Sequence, residues 1–354
     1  MSDAAFGVRE AIQRVIEGRE LSLDEASSTM DQIMTGQATG AQIGALVVAL
    51  RMKGETVQEI AGFARAMRQH ALKVEVRNAG GPIVDTCGTG GDSAGTFNIS
   101  TTASFVIAGA GVRVAKHGNR AMSSKCGSAD LLEGLGVRIE LDPHQVDRCI
   151  EQAGIGFMFA PAFHPAMRFV GPARREIGIR TVFNLLGPLT NPAGVRHQLV
   201  GVGHEGIADK LAEVLGVLGS AHAVLVHAEE GLDELGLAGA SSITEWNERE
   251  GGLRKYSITP EEVGLQRAPL DDLLGGDVTI NTLITRRILA GERGPKRDAT
   301  LFNAGAGLYA ADAASSIAEG VALAAAVIDD GRAQASLERL VAVTQSFGAE
   351  VQPA

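Results

Sequence analysis

Residues 83–101 read Ile-Val-Asp-Thr-Cys-Gly-Thr-Gly-Gly-Asp-Ser-Ala-Gly-Thr-Phe-Asn-Ile-Ser-Thr. A short apolar run ends in Asp85, and Gly88, Gly90 and Gly91 then arrive within four positions. Asp92, Thr96, Asn98, Ile99, Ser100 and Thr101 then lead into an Ala/Ile/Val-rich stretch. Glycine tolerates positive φ and lets backbone N–H groups come close to oxygen. A helix start adds unpaired N–H donors and a partial positive charge. A strand, a glycine loop and a helix start in this order make a site for a phosphorylated ligand. The stretch is not a Walker loop, because no Gly-Lys-Ser/Thr closes it, and Ser93 stands where Gly-x-Gly-x-x-Gly would end. Gly305-Ala-Gly-Leu-Tyr-Ala310 comes nearer to that fingerprint but lacks its acidic partner, so it reads as close helix packing.

Two further clusters carry chemistry. Lys116, His117, Gly118, Asn119, Arg120, Ala121, Met122, Ser123 and Ser124 follow a candidate strand, with Ser128 just beyond. The lysine ammonium and the serine hydroxyls are donors for phosphate. Asp233 and Glu234 form an acidic doublet after another candidate strand. Adjacent carboxylates are hard oxygen ligands for Mg²⁺, which commonly combines one or two of them with substrate phosphates. Cys87, Cys126 and Cys149 show no metal or disulfide spacing and no histidine partner, so they read as reduced thiols without a nucleophilic role.

The elements that would hold these groups fall into two kinds. The first 70 residues read as helices. Ser22 with Glu25, Thr39 with Gln42 and Thr56 with Glu59 have the form of capping boxes. Asn78, Gly80, Gly81 and Pro82 look like a connection. Beyond it, candidate strands 83–86, 112–116, 156–160, 195–203 and 221–227 alternate with candidate helices 100–110, 128–134, 144–153, 206–218 and 314–329. That alternation implies an α/β layer on a mostly parallel sheet, with ligands at the carboxyl ends of the strands. The Arg- and Pro-rich segment 167–191 breaks the pattern and should pack back on the helical unit. The expected division is a small all-helical domain, 1–75 joined by about 167–191, and a larger α/β domain, 76–166 and 192–354.

The chain has 354 residues, 45% hydrophobic and 21% charged, with 45 glycines and 4% aromatics. These values suit a soluble globular protein of two domains with small side chains in its interior. A net charge of −10 and the absence of a long basic run argue against nucleic acid as a ligand. The cluster Arg174, Arg175 and Arg180 suffices for one carboxylate or phosphate. No signal peptide or membrane span is legible, which points to the cytoplasm.

At these residues the chain resembles the anthranilate phosphoribosyltransferase family of tryptophan biosynthesis. The resemblance spans nearly the whole length. It rests on Gly-Thr-Gly-Gly-Asp at 88–92, Asn-Ile-Ser-Thr at 98–101, Lys-His-Gly-Asn-Arg at 116–120, the run from Arg174 to Pro192, and Asp233-Glu234. It implies a helical domain plus an α/β domain, a fold shared with pyrimidine nucleoside phosphorylases, and a homodimer joined through the helical domains. It also implies that phosphoribosyl pyrophosphate (PRPP) is held by Gly88, Gly91, Asp92, Thr96, residues 98–101, the loop from Lys116 through Ser124, and Ser128. Ser100, Asp233 and Glu234 would hold two Mg²⁺ ions. Gly88, Asn119 and Arg174 would contact anthranilate, with His117 lining its path. Thr86, Cys87, Cys126 and the Leu-Gly-Leu run at 235–237 depart from the family pattern without touching an implied ligand group. The amine of anthranilate is already neutral at pH 7, so no general base is demanded. Two rivals remain: a pyrimidine nucleoside phosphorylase, against which the acidic doublet weighs, and a non-catalytic nucleic-acid-binding relative, against which the charge weighs.

Overall fold

The structure, a computed structural model, describes residues 6–76, 80–92, 94–121 and 124–349. Asn78 of the expected connection lies outside them. Four helices come first: α1 (Val8–Ile16), α2 (Leu23–Met34), α3 (Gly40–Lys53) and α4 (Val57–His70). The three capping boxes form as the sequence implies. Ser22 Oγ accepts the Glu25 N–H and Glu25 Oε2 accepts the Ser22 N–H, and the Thr39 and Thr56 boxes close in the same way. A cap of this kind contributes about 0.5–2 kcal/mol, enough to fix where a short helix starts.

The rest of the chain builds one seven-stranded sheet. Its strands are β1 (Ile83–Gly88), β2 (Arg113–Gly118), β3 (Ile155–Phe159), β4 (His197–Gly201), β5 (His222–Ala228), β6 (Ser241–Asn247) and β7 (Gly252–Ile258). The order is β3-β2-β1-β4-β5-β6-β7. The first five run parallel, while β6 and β7 add antiparallel to the β5 edge. The five parallel strands lie at the expected places. The β6–β7 hairpin was not among the candidate strands.

The helices that follow are α5 (Ile99–Gly109), α6 (Ser128–Gly134), α7 (Pro143–Ala153), α8 (Ala160–Phe163), α9 (Gly171–Ile177) and α10 (Ala208–Val217). They are joined by α11 (Val278–Leu289), α12 (Pro295–Ala310), α13 (Ile317–Asp329) and α14 (Arg332–Ala349). The Gly305/Gly307 motif is helix packing, as its sequence suggests. A Cβ at Gly305 would lie 2.6 Å from the Val321 backbone nitrogen, so α12 and α13 cross at bare backbone.

Two apolar cores result. One lies between the sheet and α5–α7 and α11–α14. The other joins α1–α4 with Val170, Ala173, Val182, Phe183, Leu186 and Leu189 of the irregular segment, and continues through α10 to Val200 and Leu225 on the sheet. The 167–191 segment therefore does pack on the helices. The connection order reverses between β1 and β4, which lie side by side at the centre of the sheet. In open α/β sheets the crevice beyond the carboxyl ends at such a switch point is where ligands bind.

Candidate active site

A cavity of about 1400 Å³ opens at that switch point, between the sheet and the 160–190 segment. The loop after β1 forms its floor. Gly90 and Gly91 adopt φ of 64° and 89°, a region that side chains rarely tolerate. Thr89 N–H bonds to Gly201 O at 2.9 Å and Gly203 N–H to Thr89 Oγ1 at 3.0 Å, tying this loop to the end of β4. The N-terminus of α5 enters the cavity without a side-chain cap; the Ile99 N–H goes to Phe97 O at 2.8 Å, which leaves the Thr101 N–H of the first turn available to an anion.

The acidic doublet meets both features. Asp233 Oδ2 accepts the Gly90 N–H at 2.9 Å, and Glu234 Oε1 accepts the Ser100 N–H at 3.1 Å. Both carboxyls are pushed up from the usual carboxylate range. Burial is the main cause for each. Asp92 adds repulsion at Asp233, and Asp233 adds it at Glu234. Asp233, repelled by Asp92 on one side and repelling Glu234 on the other, makes the cavity favour a cation there. Among the described residues no group of three or more His, Cys, Asp or Glu side chains could hold a metal unaided. A site that relies on phosphate oxygens and water suits Mg²⁺.

Lys116 is buried at the end of β2 and donates to the Thr86 carbonyl. Burial lowers its pKa and raises that of fully buried Asp85, and the pair partly offsets this by mutual attraction. Asp85 also accepts from the His117 N–H and from Asn191 Nδ2. Thr86, one of the departures from the family pattern, thus anchors the lysine.

Across the cavity stand His117 and His164, with ring centroids 5.0 Å apart. Burial lowers His117 to about 3 and His164 to about 4, so both rings are neutral at pH 7. Each Nε2 is buried without a hydrogen-bond partner. Arg174 of α9 lies over the Phe183 ring at 5.6 Å, and burial lowers its pKa. Among the described residues it has no carboxylate partner. An unpaired, half-buried guanidinium beside an aromatic ring is a receptor for a planar carboxylate.

The remaining sequence candidates divide by what their side chains do. Gly88, Gly91, Asp92, Thr96, Gly118, Asn119, Ala121, Ser124 and Ser128 line the cavity. Ile99 and Thr101 are buried at the cavity wall, and the Ile99 N–H is taken by Phe97 O at 2.8 Å. Asn98 is already engaged, donating to Cys126 O and accepting from Asn281 Nδ2, both at 3.0 Å. Arg120 turns to Asp130 and Glu133 on α6. Met122 and Ser123 lie outside the described residues. All three thiols are pushed up by burial, Cys126 to about 11 and Cys149 to about 12, which agrees with their inert reading.

Sequence reasoning did not single out His164, Asp85, Asn191, Gly201 or Asn281. Asn281 bonds Asn98 and the Gly276 N–H (2.7 Å), and one turn on, Thr285 Oγ1 meets Thr102 Oγ1 at 3.0 Å. This polar ladder between α5 and α11 fixes three cavity loops. Nothing in the local sequence around 281 signals it.

Residues 9–71 match the model of the glycosyl transferase family helical bundle domain, and residues 80–334 that of the glycosyl transferase family a/b domain. The anthranilate phosphoribosyltransferase of Chloroflexus aurantiacus is 58% identical over 342 residues, covering 96% of this chain and 99% of that protein. This chain belongs to the anthranilate phosphoribosyltransferase family. The Moorella thermoacetica member is 53% identical, covering 97% of this chain and 100% of its own. The crystal structure of the Thermus thermophilus enzyme has a TM-score of 0.89 at 48% identity, covering 95% and 99% of the two chains. The Saccharomyces cerevisiae enzyme in complex with PRPP and Mg has a TM-score of 0.87 at 26% identity, covering 98% and 99%.

Proposed function

We propose that this protein transfers the 5-phosphoribosyl group of PRPP to the amine of anthranilate, giving N-(5-phosphoribosyl)anthranilate and pyrophosphate in tryptophan biosynthesis. One observation carries the reading. A glycine loop and helix N-terminus hydrogen-bonded to an acidic doublet share a single cavity with unpaired Arg174 and two neutral imidazoles. The first half suits a diphosphate and the second an aromatic acid.

In this reading Gly88, Gly91, Asp92, Thr96 and the α5 start receive PRPP, with Lys116, the loop from His117 through Ser124, and Ser128. Asn98 acts by holding the loop, Ile99 by packing behind it, and Thr101 from the first turn of α5. Arg174 takes the anthranilate carboxylate, with Gly88 and Asn119 nearby and His117 and His164 along the ring. Attack by the amine at C1 expels pyrophosphate. No side chain here has to remove a proton first, and the free Nε2 atoms can accept an amine N–H. The burden falls on placement and on charge stabilisation at the leaving group.

Asp233, Glu234 and Ser100 would hold Mg²⁺, as two ions. When bound, the metal neutralises charge on the departing pyrophosphate. The raised carboxyls fit that occupant, since a cation relieves their repulsion.

The division into a helical domain (1–75 with about 167–191) and an α/β domain is part of the proposal, as is a homodimer joined through the helices. Exposed Ile16 on α1 and Met52 on α3, helices that pack together, and Ile179 beside α9 support an apolar face there. The proposed location is the cytoplasm. Among the described residues no helix is long and apolar enough to cross a membrane. The test is a fluorescence assay for phosphoribosyl-anthranilate with and without Mg²⁺. Mg²⁺-dependent product is expected, and its absence under both conditions would overturn the assignment.

A further inference from the structure

Arg180 lies between α9 and the short turn Val182–Asn184, whose Val182 and Phe183 sit in the core shared with α1–α4. Its side chain leaves that segment and reaches the glycine loop, where Nη2 donates to Gly90 O at 3.1 Å. The Gly90 N–H is held by Asp233 Oδ2 at 2.9 Å. This residue is therefore gripped from both sides, by an acid on its N–H and a cation on its carbonyl. The neighbouring glycine is shaped around the same guanidinium. A Cβ on Gly91 would lie 1.5 Å from Arg180 Nη1. Among the described residues no carboxylate pairs with Arg180, so its charge is spent on this loop and on the cavity that it lines.

We propose that Arg180 is a positioning residue for the phosphorylated donor: it sets the Gly90–Gly91 peptides for the diphosphate and ties that setting to the segment that carries Arg174. The proposal rests on the phosphoribosyl transfer proposed above. Flexible glycines with positive φ have many other conformations available, and ordering them at the moment of binding costs affinity. A fork of N–H donors anchored in the neighbouring layer lowers that cost before the ligand arrives. Arg174 and Arg180 lie on one short segment, six positions apart in sequence. Seating that segment therefore presents the acceptor's receptor and the donor's loop together.

The test combines Arg180→Ala and Arg180→Lys with two readouts. In the ligand-free proteins, amide hydrogen exchange over residues 88–92 should accelerate in Arg180→Ala and leave the strands unchanged. In the assay, the KM for PRPP should rise about tenfold or more, the loss of a hydrogen bond from a charged group. The KM for anthranilate should stay within about twofold and the melting temperature should hold. Arg180→Lys should recover part of both effects, since an ammonium supplies charge and one donor but no fork. Unchanged loop exchange, or equal rises in both KM values with a lowered melting temperature, would overturn the proposal. The exchange readout needs no turnover, so it stands even if the wild-type protein makes no phosphoribosyl-anthranilate, a result that would sink the functional assignment instead.

Discussion

Gly201 ends β4 between β1 and β5, opposite Gly88 on one side and Val226 on the other. A Cβ there would lie 1.6 Å from the Asp233 carbonyl oxygen and 2.6 Å from its carbonyl carbon. Ordinary contact begins near 3.4 Å, so Gly201→Ala requires about 1.8 Å of separation that does not exist. β4 is central in the sheet and hydrogen-bonded on both sides, so the Asp233 backbone has to give way. Its carboxylate would then leave the Gly90 N–H. A displacement of about 1 Å at a reacting constellation costs roughly 100-fold, so kcat/KM should fall at least about 100-fold, or about 2.7 kcal/mol of transition-state stabilisation. The overpacking itself should cost about 1–3 kcal/mol of stability. The assay is initial-rate fluorescence at several Mg²⁺ concentrations, alongside thermal unfolding. Two companions grade the argument. Gly88→Ala meets the Asp233 carboxylate itself, at 2.6 Å, and should also lose turnover while costing less stability, because a side chain can rotate. Gly206→Ala meets nothing within 4 Å and should behave as wild type. Near-normal turnover in Gly201→Ala would refute the claim that close backbone approach sets the acidic doublet.

Other outcomes follow from the same geometry. The Asp233 and Glu234 carboxyls lie above their unfolded values, so their contribution to stability is full below about pH 4 and is lost as pH rises through the raised values. Without Mg²⁺, the Asp233→Asn/Glu234→Gln double variant should therefore out-melt the wild type by more at pH 8 than at pH 5, while losing metal-dependent turnover. An equal gap at both pH values would count against the repulsion. Arg174→Ala should raise the KM for anthranilate about ten- to a hundredfold and leave that for PRPP nearly unchanged; steady-state kinetics in both substrates decides it. His222 is buried, which opposes its charge, but bonds to Glu245 and Asp312 outweigh this and raise its pKa. Its stabilisation is present below about pH 6.5 and fades as pH rises through the raised value. His222→Gln should therefore cost more stability at pH 6 than at pH 9, measured by denaturant unfolding.

What the sequence revealed and what it hid have physical causes. Capping boxes at Ser22, Thr39 and Thr56 are local hydrogen-bond patterns, and they formed as written. The parallel strands announced themselves as apolar runs, because both faces of such strands are buried. β7 was missed because it lies at the sheet edge, where Arg254, Lys255 and Ser257 carry few marks of a buried strand. α12 is buried without a break from Ala299 through Ala310, so it has no amphipathic stripe to betray a helix. The loops after β1 and β2 were legible because glycine and hydroxyl chemistry is compressed into a few residues after each strand. Gly201, Asn281 and the reach of Arg180 to Gly90 were not, because each acts on a residue far away in sequence. Only the folded chain brings such partners together.

The apolar core that runs from the four leading helices through α10 onto the sheet has a mechanical consequence. Along that flank the layers cannot part without wetting Leu211, Val214 and Leu215, at about 25 cal/mol for each Å² exposed. The opposite flank is the cavity, which is open to water already. Any rocking of one layer on the other would therefore hinge where α4 packs on α10, with the mouth beside Arg174 as the free end of the lever. A change in the fit of α10 against α4 would then alter that mouth at a distance from every reacting atom.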